Sequence, residues 1–589
     1  MKGKKIVSTL LALLLLASLP VSALAAEWDI SKGDITVHAG SGGQTVTQGS
    51  QVDIPDSAPV ITGSSQKNNL TINAEKDQTA SVTLSGVSID VSVAGKAAVS
   101  TTGEGNVSIE LNGENTLKSG EDHAGLEKNN GGSLTIADED KNGKLTAEGG
   151  EYGAGIGGGD EGNGNNIAIS GGEITAIGGI GGAGIGGGSG GNGNNIAISG
   201  GEITAIGGDG GGAGIGGGNC GAGSNITISG GEITAISVEH GAGIGGGYEG
   251  NGNNIAISGG KIKATGGDLG GAGIGGGSAG DSYNGNGSDI TISGGEVTAI
   301  GGDEGAGIGG GRDGNGNNIA ISSGVVTAIG GYNGAGIGGG AAGIGNNIAI
   351  SGGEVKAIGG VSGAGIGGGM GGKGKYITVS GVAKLKVQGG VEDEYHGVGA
   401  GIGGGGSNAE DGSFLGGSPV PGAEVEPDTS GLLTTGWIEY YAPGADMEKD
   451  KPTSTTFGTS SQPEKPIEPA VPEQPEAERG MDAPLYRMTD RDGRDIAYTA
   501  EQKGGVLTVT VDEDFAVLTG SLSGMTALRA QGVEKLVFVT KGATSAFLLS
   551  DLLGKGESGE AYWLTHDGKA VTFTLGESMA DVSAILTKP

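Results

Sequence analysis

The heptapeptide Gly-Ala-Gly-Ile-Gly-Gly-Gly recurs nine times between Gly153 and Gly405, and no other feature restricts the fold of this chain as strongly. The copies begin at Gly153, Gly182, Gly212, Gly241, Gly271, Gly305, Gly334, Gly363 and Gly399, spaced by 29 or 30 residues apart from two intervals of 34 and 36. A fixed period of this size marks a stacked array, in which each unit buries its apolar side chains only against its neighbours. Each copy also satisfies the dinucleotide pattern G-x-G-x-x-G, but that pattern needs a strand before it and a helix after it, and here more Gly and Asn follow. Collagen is excluded because Gly, 138 of 589 residues, does not fall at every third position.

Three short strand signals separated by Gly-rich corners make up one repeat. In the first they are Ala154 to Ile156, Ile167 to Ile169 and Ile174 to Ile177. Period-2 alternation turns Ala154, Ile156, Ile167, Ile169, Ile174 and Ala176 inward. The prediction is a mainly β parallel helix of three strands and about 29 residues per coil, with coils about 4.8 Å apart. The corner before the second strand carries Asn166, Asn195, Asn225, Asn254, Asp289, Asn318 and Asn347, a column suited to left-handed backbone and stacked amide hydrogen bonds.

Packing does not dictate the outward residues of the third strand. One column reads Thr146, Thr175, Thr204, Thr234, Lys263, Thr298, Thr327, Lys356 and Lys386, and the next Glu148, Ile177, Ile206, Ile236, Thr265, Ile300, Ile329, Ile358 and Gln388. Thr175, Ile177, Thr204, Ile206, Thr234, Ile236, Thr298 and Ile300 thus form a candidate contact face, unless a bulge turns the Ile column inward. A third column, Glu173, Glu202, Glu232, Lys261, Glu296, Val325 and Glu354, stacks like charges that calcium could bridge or that diverge into water.

The repeat is interrupted at one corner of three consecutive coils, by Tyr248-Glu249, by an insertion containing Asp281 and Tyr283, and by Arg312-Asp313. Aromatic rings beside carboxylates and a guanidinium suit a sugar, whose ring stacks and whose hydroxyls need charged partners. His123, His240 and His396 are expected at a different corner, which leaves a lyase or hydrolase only Glu249, Asp281, Arg312 and Asp313 to work with. Near-identical repeats also fit a tailored active site poorly, so the chain is read as non-catalytic.

Five segments follow. Residues 1–25 read as a signal peptide, with Lys2, Lys4 and Lys5, an apolar run from Ile6 to Leu19 and Ala23-Leu24-Ala25 for cleavage, and no later stretch could cross a bilayer. Residues 26–122 read as irregular entry coils or cap, 123–406 as the Gly-rich coils, and 407–480 as a Pro-rich linker in which Trp437, Tyr440 and Tyr441 dock on the last coil. Residues 481–589 read as a small α+β domain with helices at Ser523 to Gln531 and Ser545 to Leu553; its Asp490 to Asp495 run lacks the Glu of a calcium loop. The net charge of −34 argues against nucleic acid, and the lone Cys220 has no internal disulfide partner.

Taken together, the Gly-Ala-Gly-Ile-Gly-Gly-Gly and Ile-Ser-Gly-Gly-Glu-Ile-Thr-Ala repeats from Ala124 to Gly405 resemble those of Gly-rich, carbohydrate-binding β-helix proteins of Gram-positive anaerobes. The C-terminal segment is similar to a small domain of surface proteins in the same bacteria. The resemblance implies a right-handed coil, an acidic polysaccharide as ligand and calcium as an optional helper, with no cofactor required. The expected role is a secreted or surface-displayed protein binding extracellular polysaccharide or cell-surface glycan; the alternatives are a structural adhesin using the Thr and Ile face, or a polysaccharide lyase or glycoside hydrolase.

Overall fold

The computed structural model describes residues 26–280, 285–393, 396–408 and 419–459, and most positions between 486 and 586. The chain forms two compact units, Met1–Lys465 and Pro466–Pro589.

The first unit is a parallel β-helix. Each coil contributes one strand to each of three sheets, of 15, 13 and 14 strands, as with Ile156–Gly157, Ile167–Ile169 and Glu173–Ile177. Ladders run from coil to coil without slip: Ile174 pairs with Ile203 and Ile203 with Ile233. All six residues expected inward are at most 1% exposed, so small and branched aliphatic side chains fill the interior in place of aromatic rings. Gly157 shows why the heptapeptide must be glycine: it has φ +140°, and a Cβ there would lie 1.9 Å from the Gly186 carbonyl oxygen of the next coil.

Residues 26–122 are more regular than their sequence implies. Ile35 pairs with Leu70, Leu70 with Val99, Val99 with Leu126 and Leu126 with Ile156, so the coil path continues without the heptapeptide. Leu and Val fill most inward positions as well as Ile does, while the buried Thr101 and Asn115 take two of them with side-chain hydrogen bonds to Asn130 and Lys144 O. An antiparallel pair, Gly43–Gln48 and Gln51–Pro55, covers Ile35–Gly40 and ends one sheet in a strand blunted by Pro55 and by positive φ at Asp53.

The stretch 407–480 is not a spacer throughout. Trp437–Tyr441 adds in parallel to Lys384–Gln388, the last coil's third strand, and Ser454–Phe457 folds back on it. Glu424 accepts hydrogen bonds from the Gly401 and Ile402 amides at 2.9 and 3.4 Å. An open coil end exposes backbone donors and acceptors, and residues 419–459 satisfy them as a cap. Its Pro463 to Pro475 run lies outside the described residues.

The second unit is a small sheet domain with little helix. Tyr486–Thr489, Phe515–Ser521, Ala561–Asp567, Ala570–Leu575 and Ala580–Asp581 form one sheet; Thr499–Lys503, Val506–Thr510, Lys535–Val539 and Thr544–Leu548 form another. The helix expected from Ser545 shrinks to Leu549–Leu553, because Thr544–Leu548 pairs with Lys535–Val539 and Phe547 is buried in the sheet core. Met525 and Leu528 are helical and buried within the other expected helix, Ser523 to Gln531, and Leu522 just before it is also helical and buried. The Asp490 to Asp495 run lies outside the described residues. Among those residues no helix is long and apolar enough to cross a membrane.

Candidate functional site

The outer face of the third, 14-stranded sheet is a regular surface that repeats from coil to coil. No bulge turns the Ile column inward: Glu173–Ile177 alternates exposed, buried, half-buried, buried, half-buried, and the strands at Glu202, Glu232 and Glu296 repeat this pattern. Thr175, Thr204 and Thr234 stand in register, as do Ile177, Ile206 and Ile236, with Thr298 and Ile300 farther along. The face ends under the cap, where Gln388 Nε2 donates to the Ala442 and Ala445 carbonyls at 2.6 and 2.9 Å.

The acidic column beside this face is held by lysines. Lys144 pairs with Glu173 at 2.7 Å, Lys261 with Glu232 at 2.7 Å and Lys384 with Glu354 at 2.9 Å. Each lysine occupies the same outward position one coil away from its partner, which raises the Lys144 and Lys261 pKa values through the adjacent carboxylate. Besides calcium and divergence into water, the sequence thus offers a third way to relieve the Glu173, Glu202 and Glu232 run: Lys144 before it and Lys261 after it in register.

At the interrupted corner, Tyr248-Glu249 and Arg312-Asp313 flank the coil of the insertion. The Glu249 amide donates to Ser278 O at 2.8 Å and the Ala279 amide to Arg312 O at 3.1 Å, which joins three consecutive coils. Asp281 and Tyr283 lie outside the described residues. Arg312 Nε is 3.0 Å from Glu304 and 3.5 Å from Asp313, so its charge is matched within the protein.

One expectation fails at this corner. His240 is not at a different corner from Tyr248, since the two ring centroids are 4.4 Å apart. The cause is the heptapeptide, which doubles back so that the Ala242 amide donates to Gly246 O at 2.8 Å and the residues on either side of it meet. His240 Nδ1 is buried without a hydrogen-bond partner. Two positions flanking a Gly-rich run at short separation were the available signal.

The Asn column behaves as a structural ladder. Asn195, Asn225 and Asn254 each donate to the amide oxygen one coil back, and all have φ between 52° and 56°. A second column escaped sequence reasoning: Asn163, Asn192, Asn251, Asn286 and Asn315 accept from backbone amides of the following coil.

Two polar clusters near the first Gly-rich coil were also missed. Glu127 and Lys128 are buried; Glu127 meets His123 Nδ1 at 2.6 Å, while burial lowers the Lys128 pKa to about 8 and its Nζ donates to Asn130 O at 2.7 Å. Ligand oxygens of Glu110, Asp138 and Asp140 come within 4.8 Å of one another. The Glu139 amide, the Asn142 amide and the Asn142 side chain hydrogen-bond to these three acids, so local donors already stabilise the turn.

No curated protein and no solved structure matches the chain. The family profile described as a beta helix repeat matches eight segments, 141–160, 167–189, 196–219, 226–248, 255–278, 290–312, 319–341 and 348–370. These boundaries follow the coils, and the stretch from 141 to 370 is a run of beta helix repeats.

Proposed function

We propose that the chain is a secreted, non-catalytic protein that binds an extracellular polysaccharide along the outer face of its third sheet. The observation that carries this reading is the in-register Thr and Ile ladder, half-buried and facing outward over successive coils. Its rise of about 4.8 Å per coil is close to the length of one sugar ring, so hydroxyl and apolar contacts can repeat along an extended glycan. Support for a non-catalytic role comes from Arg312, which Glu304 and Asp313 already neutralise and which is therefore poorly placed to assist a base. The test is retention of a panel of plant, bacterial and host polysaccharides by the full chain, with and without calcium. No retention on any of them overturns the proposal.

The outward, half-buried Ile column favours a second reading, in which the same face joins copies of the chain or a protein partner. That reading expects association at high concentration, abolished by Ile206→Lys. A rod that stays monomeric and is indifferent to this substitution excludes self-assembly.

A further inference from the structure

Where the third sheet runs under the cap, its middle outward column changes from Thr to Lys. In-register pairing stacks Thr327, Lys356, Lys386 and Glu439 in one column, where Glu439 accepts from the Tyr441 hydroxyl at 2.9 Å, and Val325, Glu354, Lys384 and Trp437 in the next. Residues of these columns, with Glu448, enclose a cleft of about 370 Å³, within the size range of small-ligand sites. Trp437 is half-buried at its edge, and the inward Ile438 beside it is fully buried, which fixes the strand that carries the indole.

The three lysines outnumber the two carboxylates, Glu354 and Glu448, in a protein of net charge −34. Glu354 is taken by Lys384 at 2.9 Å. Lys356 and Lys386 share one carboxylate oxygen, Glu448 Oε1, 3.4 Å from each ammonium. Both lysines are less than a third exposed, whereas Glu448 is 66% exposed and sits in the cap. A fixed pair of cations is thus filled by a carboxylate from a solvent-facing segment.

We infer that this cleft is a binding site for a carboxylate-bearing pyranose, whose ring stacks on Trp437 and whose carboxylate replaces Glu448 between Lys356 and Lys386. Aromatic stacking satisfies the apolar face of a sugar, and two ammonium groups satisfy its acid. For the sugar class this inference rests on the glycan reading above; the preference for acid rests on the cleft alone.

The test titrates glucuronate and, separately, glucose into the full chain, following tryptophan fluorescence and heat. Glucuronate should bind and glucose should not, and Lys356→Gln with Lys386→Gln should weaken glucuronate binding at least tenfold. Glu448→Gln removes the internal competitor and should tighten binding about fivefold, a gain that misfolding cannot mimic. Equal response to both sugars, or unchanged glucuronate affinity in both the lysine and the Glu448 variants, overturns the inference. Polysaccharide retention measured in parallel separates the two proposals. Retention of a polymer without glucuronate binding removes the cleft and leaves the sheet face, while glucuronate binding without retention does the reverse.

Discussion

Replacing Gly245 with Ala tests the claim that the heptapeptide is a frame imposed by coil spacing. Gly245 has φ +137°, and a Cβ would lie 1.9 Å from Gly275 O. That oxygen accepts from the Gly246 amide at 2.9 Å, so it cannot withdraw without breaking a ladder bond. Real Cβ atoms essentially never approach within 3.0 Å, so the coils must part there by at least 1.1 Å. Backbone strain of about 1–3 kcal/mol and one or two lost hydrogen bonds of about 1 kcal/mol each give an expected cost of about 3–5 kcal/mol. Two controls separate the terms. Gly371 has φ +71° with nothing near its Cβ, so Gly371→Ala should show strain alone, about 1–2 kcal/mol. Gly42 has neither constraint, and Gly42→Ala should be neutral or slightly stabilising. Denaturant midpoints rank the three, and hydrogen exchange should place the Gly245→Ala defect in its own coil and the two beside it, since a solenoid transmits contacts only to neighbours. If Gly245→Ala costs no more than Gly371→Ala, the close-approach argument is wrong.

Asp289 interrupts the Asn ladder because a carboxylate has no donor for Asn254 Oδ1, although it accepts from Asn318 at 2.9 Å. Asp289→Asn should therefore raise stability by about 1 kcal/mol, read as a shift in the denaturation midpoint; no shift would show that the ladder amides gain nothing over water. Lys261→Glu should extend the like-charge run from Glu173 to Glu296 and lower the melting temperature at low salt, with most of the loss recovered near 1 M salt. A salt-independent loss would point to packing instead. In the second unit His566 is fully buried between Ser545 Oγ at 2.7 Å and Thr540 Oγ1 at 3.0 Å, and burial lowers its pKa from 6.5 to about 4. The folded state therefore resists protonation more than the unfolded chain, so its stability is intact above pH 6.5 and falls between pH 6.5 and 4, by about 3 kcal/mol in all. A His566 proton resonance titrating near pH 6.5 in the folded protein would refute this.

The coil was legible because its determinants are local and repeated. Ile174 and Ala176 announce their inward position by alternation, and nine copies average out ambiguity in any one. Three things were hidden. His240 meets Tyr248 only because a Gly-rich turn doubles back, and spacing along the chain does not reveal such a closure. The docking of Trp437–Tyr441 was expected, but the folded cap from 419 to 459 was not, since the unpaired edge that demands it is a property of the assembled stack. Ser545 offered a plausible helix start, yet Thr544–Leu548 gains more by pairing with Lys535–Val539 and burying Phe547.

The distribution of cations along the third sheet gives the proposed glycan a direction. The outward Thr column is replaced by Lys at 263, 356 and 386, and the last two are neighbours in register at the capped end. Over the coils of Thr175, Thr204 and Thr234 the column offers hydroxyls without charge, beside a row in which Lys144 and Lys261 offset Glu173 and Glu232 and Glu202 leaves an excess of negative charge. A uniformly acidic polymer would meet that row along its length, whereas a neutral polymer with an acidic terminal sugar would place only that sugar near Lys356 and Lys386. Charge matching therefore favours a mostly neutral chain ending in an acid over a polyanion, and it orients that chain with its acidic end toward Trp437. A polyanion bound as tightly as its neutral counterpart along the whole face would contradict this.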